Sequence, residues 1–326
     1  MKNKSIFIYV MVLALCLSVF SACGAADGAA STDSSKNYVA VIAKSTESAY
    51  WKSTFSGAKA AGTEYNLELS FHGPENEEDY ETQNEMIRQA VEDGAKVIVF
   101  SAVDYNANAE AVNEAISEGV KVVVIDSDVN SEKVSAHIST DNYKAGEMVG
   151  QALLEGTESS LKVGIVNFDV NSENGQKREA GFRAYVENYP NVEIVTGINV
   201  NSTTEEAKAG TIKMLKANPQ INAIVTFNEW TSLGVGYAVQ ELGLAEETKV
   251  VAFDSNVVSV GMLETGEVDS LIVQNPYAMG YLAVEYAARL INGESPKEKI
   301  IDTTTTIITR ENMFDSESQK VLFSFD

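Results

Sequence analysis

The sequence predicts an α/β protein with two similar lobes, each a parallel sheet flanked by helices. Short apolar runs alternate with amphipathic helical patterns along most of the 326 residues, as expected for βαβ units. The same alternation begins again after Asp141, and this second half resembles the first. About 290 residues follow the N-terminal segment, which is more than one hydrophobic core usually organises.

The N-terminal segment is typical of a secretory signal peptide followed by a flexible tether. Lys2 and Lys4 precede a mostly apolar run, 6–20, which is shorter than the ~20 apolar residues of a membrane span. The run ends in Phe-Ser-Ala-Cys, which resembles a bacterial lipobox with Cys23 as the lipidated residue. Ordinary cleavage and an uncleaved anchor are the alternatives. We therefore predict a signal peptide over 1–22, and over 23–37 the lipidated cysteine with a coil spanning on the order of 20 Å.

Composition excludes several classes of function. Removing residues 1–22 takes away Cys16 and leaves Cys23, the predicted lipidation site, as the only cysteine. Disulfides, cysteine-based metal sites and cysteine catalysis are therefore not expected. The same cleavage removes two of 24 basic residues and none of 47 acidic ones, which leaves a net charge of −25 at pH 7. This charge disfavours nucleic acid as a partner, and solubility explains it. Because His72 and His137 show no metal-ligand spacing, we expect neither a metal nor a cofactor.

Four strands are predicted in each half. Helical patterns in the first half end at Gly94 and Gly119. Segment Lys96–Val112 parallels Asn222–Val239, and each precedes a stretch that reads Lys-Val-Val and ends in Asp-Ser. Chance similarity is the alternative, since buried strands use few residue types. The predicted strands are 38–43, 67–71, 96–100 and 122–125, then 162–166, 192–198, 222–227 and 249–253.

Two aspartates directly follow predicted buried strands, Asp126 in the first half and Asp254 in the second. Ligands of open parallel sheets bind outside the carboxyl ends of the strands. If the lobes face each other, both carboxylates therefore point into one cleft. The alternative is that each aspartate caps a following helix.

Other polar and aromatic residues suit a neutral polyhydroxyl ligand, because amides and Arg bond hydroxyls and aromatic faces cover a sugar ring. Arg178 could instead pair on a helix surface with Glu173 or Glu179. The aromatic residues Tyr50, Trp51 and Trp230 could instead pack in the lobe cores. The candidate residues are Tyr50, Trp51, Arg178, Asn228 and Gln274.

Seven motifs occur in an order and spacing that resemble one family. They are STESAYW (45–51), VVVIDS (122–127), STDNYKAGEMVG (139–150), QKREAGF (176–182), VTFNEWTSLG (225–234), VVAFDS (250–255) and VQNPYAMG (273–280). From Tyr38 to about Thr309 the chain is similar to type I periplasmic sugar-binding proteins of bacterial ABC importers, close to the ribose-binding group. The resemblance implies two Rossmann-like lobes joined by a three-strand hinge, first crossed near Thr140 and Asp141. It implies an N-terminal lobe of 38–140 with 275–302, and a C-terminal lobe of 141–274 with 303–326.

The resemblance also implies the ligand site. Asp126, Arg178, Asn228, Asp254 and Gln274 would bind ring hydroxyls, and Tyr50 and Trp51 would stack on the sugar. Three positions depart from the ribose-binding pattern. Ser48 stands where ribose binders have an Asn, Ser127 stands where they have a second Arg, and Ser202 or Thr203 lies near the position of another of their aromatic residues. Losing a bidentate donor and a ring changes which sugar fits, so ribose is not predicted as the ligand.

We therefore expect an extracytoplasmic lipoprotein, anchored to the cell membrane through Cys23, that captures a pentose or hexose and delivers it to a permease. The resemblance implies an ABC permease and its ATPase as partners, a monomer and no enzymatic activity. One alternative is a sugar-sensing ectoprotein that signals to a receptor kinase or chemoreceptor. Another is a carbohydrate-active enzyme that uses the two carboxylates. A sugar-responsive repressor would need a DNA-binding helix-turn-helix where the signal peptide and tether lie.

Overall fold

The computed structural model describes residues 37–295 and 297–323. Residues Asn37–Asp326 form one compact unit. The predicted signal peptide, Cys23 and all of the tether before residue 37 lie outside the described residues. Within the described part of the chain, no helix is long and apolar enough to cross a membrane.

Two six-stranded sheets form the framework, and their strands follow equivalent orders. The first runs β2-β1-β3-β4-β5-β11 and the second β7-β6-β8-β9-β10-β12. All neighbours pair in parallel except β10 and β12, which are antiparallel. The strands of the first sheet are β1 (Tyr38–Ile42), β2 (Glu68–His72), β3 (Val97–Phe100), β4 (Lys121–Ile125), β5 (Ala136–Ser139) and β11 (Ile300–Asp302). Those of the second are β6 (Leu161–Asn167), β7 (Val192–Asn199), β8 (Ala223–Thr226), β9 (Lys249–Phe253), β10 (Ser270–Val273) and β12 (Thr306–Thr309).

Helices cover both faces of each sheet, which explains why central strands such as β1, β3 and β4 are almost continuously apolar. In β1, Val39 and Val41 pack on one face of the first sheet, and Ala40 and Ile42 pack on the other. The helices of the first lobe are α1 (Ala49–Glu64), α2 (Tyr80–Glu92), α3 (Ala109–Ser117) and α9 (Pro276–Ile291). Those of the second lobe are α4 (Asn142–Leu154), α5 (Glu173–Val186), α6 (Thr204–Ala217), α7 (Glu229–Leu242), α8 (Val257–Thr265) and α10 (Ser316–Leu322).

The chain passes between the lobes three times: from β5 to α4, from β10 to α9, and from β11 to β12. The predicted α/β fold, with two lobes and a hinge of three segments, is confirmed. The internal similarity is also structural, because β3 and β8, which lie within the matching segments, occupy equivalent places in their sheets. Gly94 and Gly119, with φ of 83° and 97°, follow α2 and α3 as predicted.

A close helix crossing occurs in each lobe, where two glycines let the backbones touch. In the second lobe, a Cβ on Gly146 of α4 would lie 2.0 Å from the carbonyl oxygen of Arg178. A Cβ on Gly181 of α5 would lie 1.9 Å from that of Tyr143. Gly57 and Gly280 form the corresponding crossing of α1 and α9 in the first lobe. The packing of α4 on α5 therefore fixes the position of Arg178.

Candidate functional site

The two strand-end aspartates have equivalent positions and backbone conformations. Asp126 follows β4 and Asp254 follows β9, with φ of 55° and 65°. Each amide donates to the neighbouring strand, Asp126 to the carbonyl of Ile138 at 3.3 Å and Asp254 to that of Ile272 at 2.9 Å. The helix-capping alternative is wrong for both, because β5 follows Asp126 and the side chain of Asn256 caps α8.

Both aspartates line one cavity between the lobes, together with most of the predicted site residues. The space between the lining atoms is at most about 320 Å³, and this figure includes space that is open to solvent. The sequence-predicted residues that line it are Ser48, Tyr50, Trp51, Asp126, Arg178, Asn228, Asp254 and Gln274.

Ser127 is the predicted site residue that does not line the cavity. It is fully buried, its amide donates to Ser101 Oγ at 3.3 Å, and its carbonyl accepts from the Ala102 amide at 3.2 Å. Its hydroxyl has no hydrogen-bond partner among residues 37–295 and 297–323. A ligand contact of Ser127 stays a prediction.

Asp126 joins the two lobes through its carboxylate. Tyr50 Oη donates to Oδ1 at 3.2 Å and Ser101 Oγ to Oδ2 at 3.2 Å, both from the first lobe. From the second lobe, Asn174 Nδ2 donates to Oδ1 at 3.0 Å, and Arg178 Nη2 lies 3.7 Å from Oδ1. Burial, and then the charge of Asp126, raise the pKa of Tyr50 well above its usual value. The phenol therefore remains a donor.

Arg178 is fully buried and uses all three of its nitrogens. Nε donates to Asn142 Oδ1, Nη1 to the Phe227 carbonyl and Nη2 to Gln274 Oε1, each at 2.8 Å. The guanidinium also lies 4.2 Å from the centre of the Phe253 ring. The surface-pairing alternative is wrong, because the carboxylates it invoked pair elsewhere: Glu173 with Lys177, and Glu179 with Arg183.

Asp254 is a buried carboxyl with a strongly shifted pKa. Gln274 Nε2 donates to Oδ1 at 2.7 Å, and Gln274 Oε1 accepts from Thr140 Oγ1 at 2.8 Å. Burial raises the pKa of Asp254 to about 7, although the charge of Arg178 and the bond from Gln274 oppose the shift. Near neutral pH the group therefore exists both as a carboxylic acid and as a carboxylate.

Two predicted site residues are also the N-caps of helices. Ser48 caps α1, its Oγ accepting from the Trp51 amide at 3.2 Å. Asn228 caps α7, its Oδ1 accepting from the Thr231 amide at 2.9 Å, and its Nδ2 donates to Ser202 Oγ at 2.6 Å. Helix capping therefore orients both side chains at the cavity.

The aromatic residues belong both to the core and to the cavity wall. Tyr50 and Trp51 pack in one hydrophobic core of the first lobe and also line the cavity. Their rings meet edge to face at 5.0 Å, and Trp51 Nε1 donates to Glu77 Oε1 at 3.1 Å. Trp230 is half-buried and lines the cavity from the second lobe. The cleft and core alternatives thus both describe Tyr50 and Trp51.

Sequence reasoning missed five cavity residues: Lys44, Glu77, Phe168, Asn174 and Glu229. Lys44 Nζ donates to Ser172 Oγ at 2.7 Å, lies 3.9 Å from Glu77 Oε2 and stands 5.1 Å from the centre of the Phe168 ring. Lys44 lies two residues after the end of β1, and Phe168 directly follows β6. Both could have been predicted as Asp126 was, because ligands bind at the carboxyl ends of parallel strands.

The cavity is polar, charged and bounded by aromatic rings. Its lining includes four carboxyl side chains and two cationic ones. This combination can bond several hydroxyl groups in fixed directions while rings cover apolar C–H faces. Among the described residues, no group of His, Cys, Asp and Glu could hold a metal ion.

Comparisons with known proteins agree with this geometry. A family model described as a periplasmic binding protein domain matches residues 39–295. The D-ribose/D-allose-binding protein of Pseudomonas aeruginosa is 25% identical over 285 residues, which cover 84% of this chain and 89% of that protein. A carbohydrate transporter solute-binding protein from Agrobacterium radiobacter, solved with D-arabinose, has a TM-score of 0.85 at 27% identity, covering 89% of this chain and all of that one. An ABC transporter solute-binding protein from Agrobacterium vitis with bound D-fucose has a TM-score of 0.84 at 27% identity, covering 88% and 100%.

Proposed function

Because the chain belongs to the periplasmic binding protein family, we propose that it captures a monosaccharide, a pentose or a hexose, between its two lobes. The observation that carries this proposal is the meeting of Asp126 and Asp254, equivalent residues of the two lobes, at one cavity. Arg178 Nη2 lies 3.7 Å from Asp126 Oδ1 and donates to Gln274, which in turn donates to Asp254. A ligand bonded to all three would hold the lobes together, which favours the closed form.

Each side chain has a distinct part in this proposal. The carboxyl groups of Asp126 and Asp254 accept from ring hydroxyls, and a hydrogen bond to a charged group is worth roughly 1.5–3 kcal/mol. Arg178, Asn228 and Gln274 fix the direction of other hydroxyls. The rings of Trp51 and Trp230 cover the C–H faces of the sugar. Ser48 lines the cavity and is small, which leaves room for a ligand that differs from ribose.

Fluorescence titration tests the proposal directly. The soluble form, residues 24–326, contains both tryptophans of the chain, and both line the cavity. We expect a saturable change with one member of a panel of pentoses, hexoses, polyols and small disaccharides, and no consumption of that sugar. No fluorescence change with any sugar of the panel, together with no heat of binding in calorimetry, would refute a monosaccharide ligand. Turnover of a glycoside would establish the enzyme alternative instead.

Delivery and anchoring are further parts of the same proposal. The captured sugar would pass to an ABC permease and its ATPase, from a monomer held at the outer face of the cell membrane by lipidated Cys23. Replacing Cys23 by Ser should release the protein from the membrane fraction of expressing cells without changing its sugar affinity. Retention in that fraction would refute the lipid anchor. Deleting the gene that encodes this chain should abolish cellular uptake of the sugar identified by titration.

A further inference from the structure

One contact between the lobes involves Glu229, a cavity-lining residue whose carboxylate is bonded to the opposite lobe. This residue begins α7 in the second lobe and is only 6% exposed. Its Oε1 accepts from the amide of Ala49 at 3.2 Å, and its Oε2 accepts from the amide of Tyr50 at 3.1 Å. Both amides belong to the first turn of α1 in the other lobe. One carboxylate thus bridges the lobes with both of its oxygens.

The N-terminus of α1 is incomplete without this carboxylate. The first amides of a helix have no acceptor within the helix, and Ser48 satisfies only that of Trp51. The first turn of α1 contains no acidic residue of its own, although a negative charge is favourable there. Glu229 supplies both the missing acceptors and the charge from the opposite lobe.

The second lobe holds Glu229 in place for this contact. Asn256 Nδ2 donates to Oε1 at 2.9 Å, while Asn256 Oδ1 caps α8. Burial raises the pKa of Glu229, and the bonds from Tyr50, Asn256, Ala49 and Ser48 oppose that shift. A buried carboxylate with several donors is a positioned group, because it would otherwise carry an uncompensated cost of desolvation.

We propose, building on the function proposed above, that Glu229 and the amides of Ala49 and Tyr50 form a latch that holds the lobes closed. Opening the cleft would separate these groups and return them to water. The same elements carry cavity residues, since Tyr50 lies in α1 and Asn228 precedes Glu229. The latch therefore positions the two walls of the cavity, and the apparent affinity for a ligand depends on the closed fraction. Glu229 acts as a positioning residue through the two helices that it joins.

Hydrogen exchange without sugar tests the latch. The probes are the amide hydrogens of Ala49 and Tyr50 in the soluble form, residues 24–326. Exchange at both should accelerate at least fivefold in Glu229→Gln and at least tenfold in Glu229→Ala. Glu241→Gln is the matched control, because Glu241 lies in the same helix and pairs with Lys208 away from the cleft. Its exchange at Ala49 and Tyr50 should equal that of the wild type.

Solution scattering separates a latch from a merely structural role. The radius of gyration of Glu229→Gln should exceed that of the wild type and of Glu241→Gln, because the lobes open. Exchange within twofold of the wild type at both amides would overturn the proposal, as would an unchanged radius of gyration. If Glu229→Ala does not fold, Glu229→Gln decides the matter. Neither measurement uses a sugar. Failure of the proposed function would be seen separately, as the absence of any response in the sugar titrations.

Discussion

Asp126 and Asp254 occupy the same place in the two lobes and share a left-handed backbone, with φ of 55° and 65°. This conformation is uncommon for residues other than glycine, although Asp and Asn tolerate it best. Its occurrence at two equivalent positions on one cavity supports the proposal that both aspartates serve the ligand site.

Removing either carboxylate should weaken sugar binding. Asp126→Ala and Asp254→Ala should each raise the Kd more than tenfold, because a hydrogen bond to a charged group contributes roughly 1.5–3 kcal/mol. Calorimetric titration with the sugar found by fluorescence measures this. Asp126→Asn and Asp254→Asn keep a side chain that tolerates the left-handed backbone, so they separate binding from strain.

An internal control exists for these substitutions. Asn66, with φ of 52°, is the other non-glycine residue with positive φ among residues 37–295 and 297–323, and it is exposed. Asn66→Ala should lower stability through backbone strain, by about 1–2 kcal/mol, and leave the Kd unchanged. Unchanged affinity in both Asp→Ala variants would contradict a site shared by the two lobes.

The raised pKa of Asp254 predicts a pH dependence of stability. Its pKa is about 7 in the folded protein and near ~3.9 in an unfolded chain. The folded protein therefore binds more protons between these values, and stability falls as pH rises through that window. Relative to Asp254→Asn, the free energy of unfolding of the wild type should fall by about 2–3 kcal/mol between about pH 5 and pH 8. Urea unfolding at the two pH values measures this difference. If the wild type and Asp254→Asn showed the same pH dependence of stability, the raised pKa of Asp254 would be disproved.

The two tryptophans should respond differently to truncation. Trp51 is 2% exposed and packs in the core, so Trp51→Ala should cost about 3–5 kcal/mol of stability and also weaken binding. Trp230 is half-buried at the cavity, so Trp230→Ala should weaken binding with a much smaller loss of stability. Melting temperature and Kd, measured together, give both effects. Equal losses of stability would show that Trp230 is also a core residue.

The crossing of α4 and α5 should tolerate no side chain at Gly146. A Cβ there would lie 2.0 Å from the Arg178 carbonyl oxygen and 2.9 Å from the Phe182 amide nitrogen. Gly146→Ala should therefore separate the helices, lower the free energy of unfolding and displace Arg178, which raises the Kd. Gly261→Ala in α8 is the control, because no atom lies within 4 Å of its added Cβ. It should stabilise the protein by roughly 0.5–1 kcal/mol, as urea unfolding can measure.

The sequence was informative wherever buried strands and their ends decide the structure. Eight strands, the two lobes and the resemblance to type I periplasmic sugar-binding proteins are confirmed. Asp126 and Asp254 could be placed because a strand followed by a polar residue defines a sheet edge. Four short strands were missed, β5, β10, β11 and β12. They contain only three or four residues each, and each includes at least one polar residue, whereas the equally short β3 is wholly apolar.

The remainder depends on contacts between distant residues. No local pattern predicts that Asn174 reaches Asp126 across the cleft, or that Glu229 completes the first turn of α1, since 179 and 180 residues separate its partners from it. The left-handed backbone of Asp126 and Asp254 was also not foreseen, because no glycine marks it. Ser127 was selected by its neighbour in the motif, yet its side chain lies outside the cavity lining.

Calorimetric titration of the soluble wild type and of the Asp126→Asn/Asp254→Asn double variant tests the central claim most directly. The sugar is the one that gives the saturable fluorescence change. We predict one binding site per chain in the wild type and a loss of affinity of more than tenfold in the double variant, with the fold intact by circular dichroism. Binding of equal strength in the two proteins would contradict a site between the lobes, and absence of heat with every sugar would contradict sugar capture itself.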